Sequence, residues 1–513
     1  MEHIELVIFG LLVATAGLAV LARVVGVPYP VTLVVGGAVI GFLPGVPSVE
    51  LEPELVLLIF LPPLLYGAAF FTSVRDLRRN AGPIALLSIP LVFVTMLAVA
   101  VVAHEVIGLD WGPAFVLGAI VSPTDAVAPA EIMRRIGAPR RLISIVEGEN
   151  LTNDWTALVL YRFAIAAVAT GSFSLWEAGP KFLATGVGGL VVGLVAGRVI
   201  REIRARIDDP PTEITISILS GYAAYLPAEH LGASGVIAAV ATGLYMGWHT
   251  PRLTTPLMRL QGVAIWEILT FLLNAILFLL VGLQLPGVLD NLSGRTTGEL
   301  VLWASLVSAV VIAVRMLWIM LVMGQRHAPR AERVAVGWAG MRGSVSLAAA
   351  LAIPITTDAG APFPDRDLIV FLAFVVIFVT LVGQGLTLAP LVRRLGLMDD
   401  GEEEREERVA RQRVAEAGIG RIDELGTPDW ISPESVQRAR NVLDYRARRF
   451  GALAGGDGDG YEERTDAWRR LMYDLYDAQR VELVQLRNRG EISDEVRRKI
   501  ERDLDLEESR LEN

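Results

Sequence analysis

Residues 144–163 read SIVEGENLTNDWTALVLYRF. This largely apolar run carries Glu147, Glu149, Asn150, Asn153 and Asp154. Ionisable groups inside a membrane helix are expensive and mark function. Helical periodicity sorts them. Glu147, Asn150 and Asp154 step by three and four residues and share a face; Glu149 and Asn153, four apart, share a neighbouring face. One helix thus offers two polar edges, acid–amide–acid and acid–amide. A purely structural helix has little use for either.

The rest of the chain supplies the membrane frame. Of 513 residues, 53% are hydrophobic and 20% charged, and the mean hydropathy is +0.49. That is too little polar surface for a soluble protein of this length. A hydrocarbon core needs about 17–25 apolar residues per helix. Thirteen such runs are centred near Val13, Val35, Leu61, Val92, Val121, Leu158, Val191, Ser220, Ala239, Ile276, Val310, Ser346 and Val376. The second, eighth and ninth are short or broken by Gly and Pro, so twelve spans is the alternative count. The start, MEHIELVIFGLLVATAGLAVLARVV, has acids where a signal peptide has basic residues, and reads as the first span. With the N-terminus outside, the inside loops hold 17 basic residues and the outside loops three (Lys181, Arg295, Arg366). This bias sets the orientation and makes the C-terminus cytoplasmic.

Charge divides the chain. Residues 1–396 hold 26 acidic and 25 basic residues, whereas 397–513 hold 30 and 21. We therefore expect a membrane domain over 1–396 and a charged, mostly helical cytoplasmic region over 397–513, with a flexible linker at GALAGGDGDG (451–460). The acidic balance argues against nucleic acid, and the lack of cysteine removes disulfides and thiol chemistry. Gly189, Gly193 and Gly197 repeat every four residues in the seventh span. They suit close packing within the bundle or a dimer seam, the first being favoured.

Other polar groups interrupt the apolar runs. Ser122-Pro123-Thr124-Asp125 breaks the fifth span, since proline removes a backbone donor and frees carbonyl oxygens. Gly340 and Gly343 flank Arg342 in the twelfth, and Arg315 lies in the eleventh. If spans one to six and eight to thirteen are inverted repeats, the fifth helix of each half is interrupted. Paired broken helices point to a transporter's midplane site. Asp125, Asp154, Thr124 and Asn150 then offer hard oxygen ligands to a small cation. The plainer alternative pairs Asp125 and Asp154 with the two arginines as structure. Glu149, beside an arginine, fits an architectural ion pair better than an ion carrier.

At these residues the chain resembles monovalent cation:proton antiporters of the electroneutral branch, such as bacterial NhaP-type sodium/proton antiporters and animal sodium/proton exchangers. SPTDAVAPAEI (122–132), EGENLTNDWTALVLYRF (147–163) and GMRGSVSLAAALAIP (340–354) carry the likeness. The resemblance implies that Asp154 binds the cation and the proton in turn, next to the branch-marking Asn153. It implies that Thr124 and Asp125 contribute ligands from the unwound crossing helix, and that Glu149 pairs with Arg342. Arg315 supports the crossing. Three positions depart from the pattern. Asn150 stands where many members have serine, Gly67 where some have an acid, and Trp155 where a small residue is usual.

The implied activity is exchange of one monovalent cation, sodium before potassium or lithium, for one proton by alternating access. It needs no cofactor and no covalent step. A multi-pass protein of the cell membrane, working as a homodimer, is expected. A cation channel is the runner-up from another class, although no TVGYG-like filter is present. An intramembrane enzyme finds no HExxH or GxSxG motif.

Overall fold

The structure, a computed structural model, describes residues 2–44, 53–170, 175–250, 253–292, 294–323, 329–398, 401–426, 430–455 and 459–512. Their regular structure is all helical, with no strand among them beyond an isolated bridge between Thr356 and Pro362. Each of the thirteen expected centres falls inside a helix. Among the described residues, five helical stretches are long and apolar enough to cross a bilayer alone: Ala81–Ile107, Gly179–Arg204, Pro256–Asp290, Thr297–Val322 and Arg366–Arg394. The chain forms two compact units, Met1–Met398 and Asp399–Asn513.

Within the first unit, local chemistry sets the helix starts. Asp209, Ser234, Thr255 and Thr296 each accept a hydrogen bond from a backbone N–H of the helix that follows, with Glu299 completing a capping box. Pro63 cannot donate to Ile59 four residues back in the Pro53–Phe71 helix. The Tyr222 hydroxyl donates to that freed carbonyl at 2.8 Å, so a helix defect becomes a tie to the Pro210–His230 helix.

The glycine stripe resolves toward packing. A Cβ at Gly189 or Gly193 would meet the carbonyls of Ser234 and Ala238, and one at Gly197 the Tyr245 ring. All three therefore seat the Leu175–Arg204 helix against Gly235–His249, and Thr242 Oγ1 donates to the Gly193 carbonyl at 2.8 Å.

Two segments leave the helical path. Helix Trp111–Val121 stops, and Val127–Arg135 begins after Ser122–Ala126. Helix Arg330–Trp338 stops, and Ser344–Leu351 begins after Ala339–Gly343. The two breaks touch, since the Asp125 N–H donates to the Met341 carbonyl at 2.8 Å.

The second unit contains helices Glu402–Leu425, Pro433–Gly455, Asp459–Asn488 and Asp494–Glu512. The Pro433–Gly455 helix runs into the expected linker at 451–460, of which residues 456–458 lie outside the description. Tyr476, Leu483 and Leu504 form a small core between the last two helices.

Candidate functional site

Four half-helix ends converge where the breaks meet, each leaving backbone groups without intrahelical partners. Asp125 serves both N-terminal ends. Its Oδ1 accepts from Val127 N at 2.8 Å, and its Oδ2 accepts from Ser344 N at 2.9 Å and Ser344 Oγ at 3.3 Å. Arginines serve the two C-terminal ends. Arg342 Nε donates to the Val121 carbonyl at 3.0 Å, and Arg315 donates to the carbonyls of Gly337 (3.2 Å) and Val336 (3.0 Å). A negative group thus faces the positive helix ends and positive groups face the negative ends. The glycines allow this approach. A side chain at Gly340 would strike the Arg315 side chain, and one at Gly343 the Asp125 carboxylate.

Helix Arg140–Thr170 passes beside the crossing. On one face Glu149 accepts two hydrogen bonds from the Arg315 guanidinium, and both side chains are only 1% exposed. Thr124 Oγ1 donates to Glu149 at 3.1 Å and accepts from Asn153 Nδ2 at 2.8 Å. On the other face lies Asp154, 3% exposed, with no hydrogen-bond or ion-pair partner among the described residues. Its charged neighbour is Asp125, of the same sign. Asp154, Asp125, Thr124 and Asn150 line one cavity of about 750 Å³, as do Gly67 and Asn274. Eight residues beyond Asp154, Arg162 holds both oxygens of Glu229 at 2.9 and 2.6 Å.

A family model described as "Sodium/hydrogen exchanger, transmembrane" matches residues 10–394. The chain belongs to the sodium/hydrogen exchanger family. It is therefore a multi-pass membrane protein of a cation/proton antiporter family. An uncharacterized Na+/H+ exchanger of Mycobacterium tuberculosis is 38% identical over 98% of this exchanger and 96% of its own length. The Na+/H+ antiporter ApNhaP of Aphanothece halophytica is 31% identical over 81% of this chain and 79% of its own. The sodium proton antiporter MjNhaP1 of Methanocaldococcus jannaschii, solved at pH 8, shares the fold. Its TM-score is 0.64 at 21% identity, covering 77% of the exchanger and 99% of that chain.

Two sequence expectations change in this exchanger. Glu149 pairs with Arg315 rather than Arg342, because Arg315 arrives with a two-pronged guanidinium while Arg342 is occupied by the carbonyls of Val121 and Gly340. Thr380 Oγ1, at the start of a π-helical turn, accepts from the Arg342 N–H at 3.1 Å and helps fix that position. Asn153 is not a lining residue of the cavity; its amide nitrogen donates to Thr124, while its buried Oδ1 has no hydrogen-bond partner among the described residues. Asp125 lines the cavity, yet both its oxygens already hold helix ends.

Gly67 faces the Trp266 ring, which would lie 2.9 Å from a Cβ there, so the indole closes the space a larger residue would take. Sequence reasoning passed over Thr270 and Asn274, which line the cavity beside Glu267. Their spacing was the available signal, because 267, 270 and 274 share one helical face.

Proposed function

We propose that the exchanger carries a monovalent cation, sodium, against one proton at Asp154 by alternating access, without net charge movement. The observation that carries this reading is a buried carboxylate with no counter-ion among the described residues, placed in a cavity beside two crossed helix breaks. Such a group is neutralised by a proton or by a cation, and holds one at a time. Moving it bare past an apolar barrier costs several kcal/mol, so the bundle reorients when either ligand is bound and stays when neither is. Asn153 does not titrate and Glu149 is tied to Arg315, which leaves one exchangeable charge per cycle.

The carbonyl-rich breaks and the oxygens of Asp125, Thr124 and Asn150 complete the cation's surroundings in this reading. Thirteen spans, arranged as two inverted repeats of six, bring the interrupted fifth and twelfth spans together. Residues 1–396 make the transport domain of a plasma-membrane homodimer. The basic loops and the acidic region from 397 onward face the cytoplasm, and no cofactor takes part.

Purified protein in proteoliposomes, with an internal pH dye and each of Na+, Li+ and K+ added in turn, tests this. Asp154→Asn is expected to abolish cation-driven proton movement while keeping the wild-type melting temperature. Exchange by that variant at wild-type rate refutes the assignment. An equilibrium proton gradient that follows an imposed membrane potential refutes the one-to-one stoichiometry.

A further inference from the structure

Several elements line the cavity, and helix Pro256–Asn291 is one whose polar groups have no role so far. On helix Arg140–Thr170, Glu147, Asn150 and Asp154 descend at spacings of three and four residues. On helix Pro256–Asn291, Glu267, Thr270 and Asn274 line the same cavity at the same spacings. Burial deepens in step along both. Glu147 and Asn150 are half-buried above the buried Asp154, and Glu267 is exposed and Thr270 half-buried above Asn274, which is 1% exposed. Each row covers seven residue steps, about 10 Å of helix. An acid therefore stands at the mouth of each row, a neutral polar group follows one turn in, and the buried residue closes it.

Asn274 stands out within its row. Its Oδ1 is buried and has no hydrogen-bond partner among the described residues, and its residue faces the cavity that holds Asp154. Buried polar atoms are almost always satisfied, so an orphaned amide oxygen beside a ligand cavity points to a ligand. A neutral amide oxygen suits an alkali cation because it replaces a hydration water without adding charge. Glu267 stands at the mouth, where an exposed carboxylate raises the local cation concentration. It is free to do so because no ion pair engages it among the described residues, whereas Glu147 is paired with Arg134.

We infer that the Pro256–Asn291 helix forms part of the cation path, with Asn274 a further cation-binding residue in the cavity of Asp154 and Glu267 a gathering charge at the entrance. This rests on the reading of Asp154 as the exchange site. The amide contributes an oxygen to the dehydrated ion and nothing to the proton-bound state. Losing it therefore weakens cation binding without stopping proton turnover.

The test measures apparent KM and maximal rate for Na+, Li+ and K+ in proteoliposomes, with Asp154→Asn alongside. Asn274→Ala is expected to raise the cation KM about tenfold, the loss of one oxygen ligand, with the maximal rate within about twofold. Asn274→Asp, which retains an oxygen, is expected to restore the KM and shift the pH profile, because a second titrating group now competes for protons. Glu267→Gln, at an exposed position that folding tolerates, is expected to raise KM about threefold at low ionic strength and not at high. A lower maximal rate with unchanged KM in Asn274→Ala marks a packing role and overturns the inference. So does a wild-type KM for all three cations, or a Glu267→Gln effect that ignores salt. If Asn274→Ala fails to fold, the Asp variant and Glu267→Gln decide in the same way. Activity in Asp154→Asn brings down the underlying reading instead. An inactive Asp154→Asn beside a wild-type Asn274→Ala brings down this inference alone.

Discussion

Asp125 and Asp154 are both buried carboxylates, and their hydrogen bonds separate their roles. Asp125 accepts from Val127 N, Ser344 N and Ser344 Oγ, so it binds two helix ends together before any ion arrives. Asp154 accepts none among the described residues, which leaves its oxygens to a ligand. Glu149 makes a third case, its carboxylate consumed by the two-pronged guanidinium of Arg315. Removing one member of such a pair strands the other charge in a low-dielectric interior, at a cost on the order of 3–5 kcal/mol. Glu149→Ala and Arg315→Ala are therefore each expected to lower the melting temperature sharply, and the double variant to lose less than their sum. A double-mutant cycle by thermal unfolding in detergent checks this. Strict additivity argues that the pair contributes no coupling.

Elements meet here by losing side chains as much as by presenting them. At the crossing, Gly340 and Gly343 leave room for Arg315 and Asp125 to reach exposed backbone ends. Along the seventh expected span, Gly189, Gly193 and Gly197 do the same for the neighbouring helix. A Cβ at Gly193 would stand 2.5 Å from the Ala238 carbonyl and 2.8 Å from the Ala241 Cβ, both on the Gly235–His249 helix, which cannot yield without parting the two helices. Gly193→Ala is thus expected to destabilise by about 1–3 kcal/mol, an overpacking cost. Its oligomeric state in light scattering should match wild type, because the stripe is already covered from within the chain. A variant that melts normally yet changes its oligomeric state would move the stripe to an intersubunit seam.

The whole molecule divides where its charge does. The residues that line the cavity all lie before residue 347, and those that meet at the crossing, Thr380 included, lie inside Met1–Met398. The second unit has its own small core at Tyr476, Leu483 and Leu504, and its own ion pairs from Arg480 to Asp505 and Glu508. Ending the chain after Met398 is therefore expected to leave cation-driven proton movement measurable, with any change confined to its pH response or to expression level. Flux assays of the shortened chain across pH check this. Correctly inserted protein that exchanges nothing would place the tail within the transport machinery.

The sequence alone was enough to read the helical membrane class, the family, and the acids and broken helices from which a transport site is built. These features are local. Apolar run length answers to bilayer thickness, side-chain periodicity to the 3.6-residue turn, and Pro or paired Gly to a break in hydrogen bonding. Partner choice was not local. Arg315 and Arg342 lie 27 residues apart in the chain and equally suit an acid. Packing gave Glu149 to Arg315, since Arg342 meets the open carbonyl end at Val121 first. The same holds for Asn153 turning to Thr124, and for Asn274 reaching the cavity of Asp154 from a helix some 120 residues away. Periodicity names the residues that share a face. Only the folded bundle decides what that face meets, because desolvation favours a partner for a buried polar group and tertiary packing decides which partners come within reach.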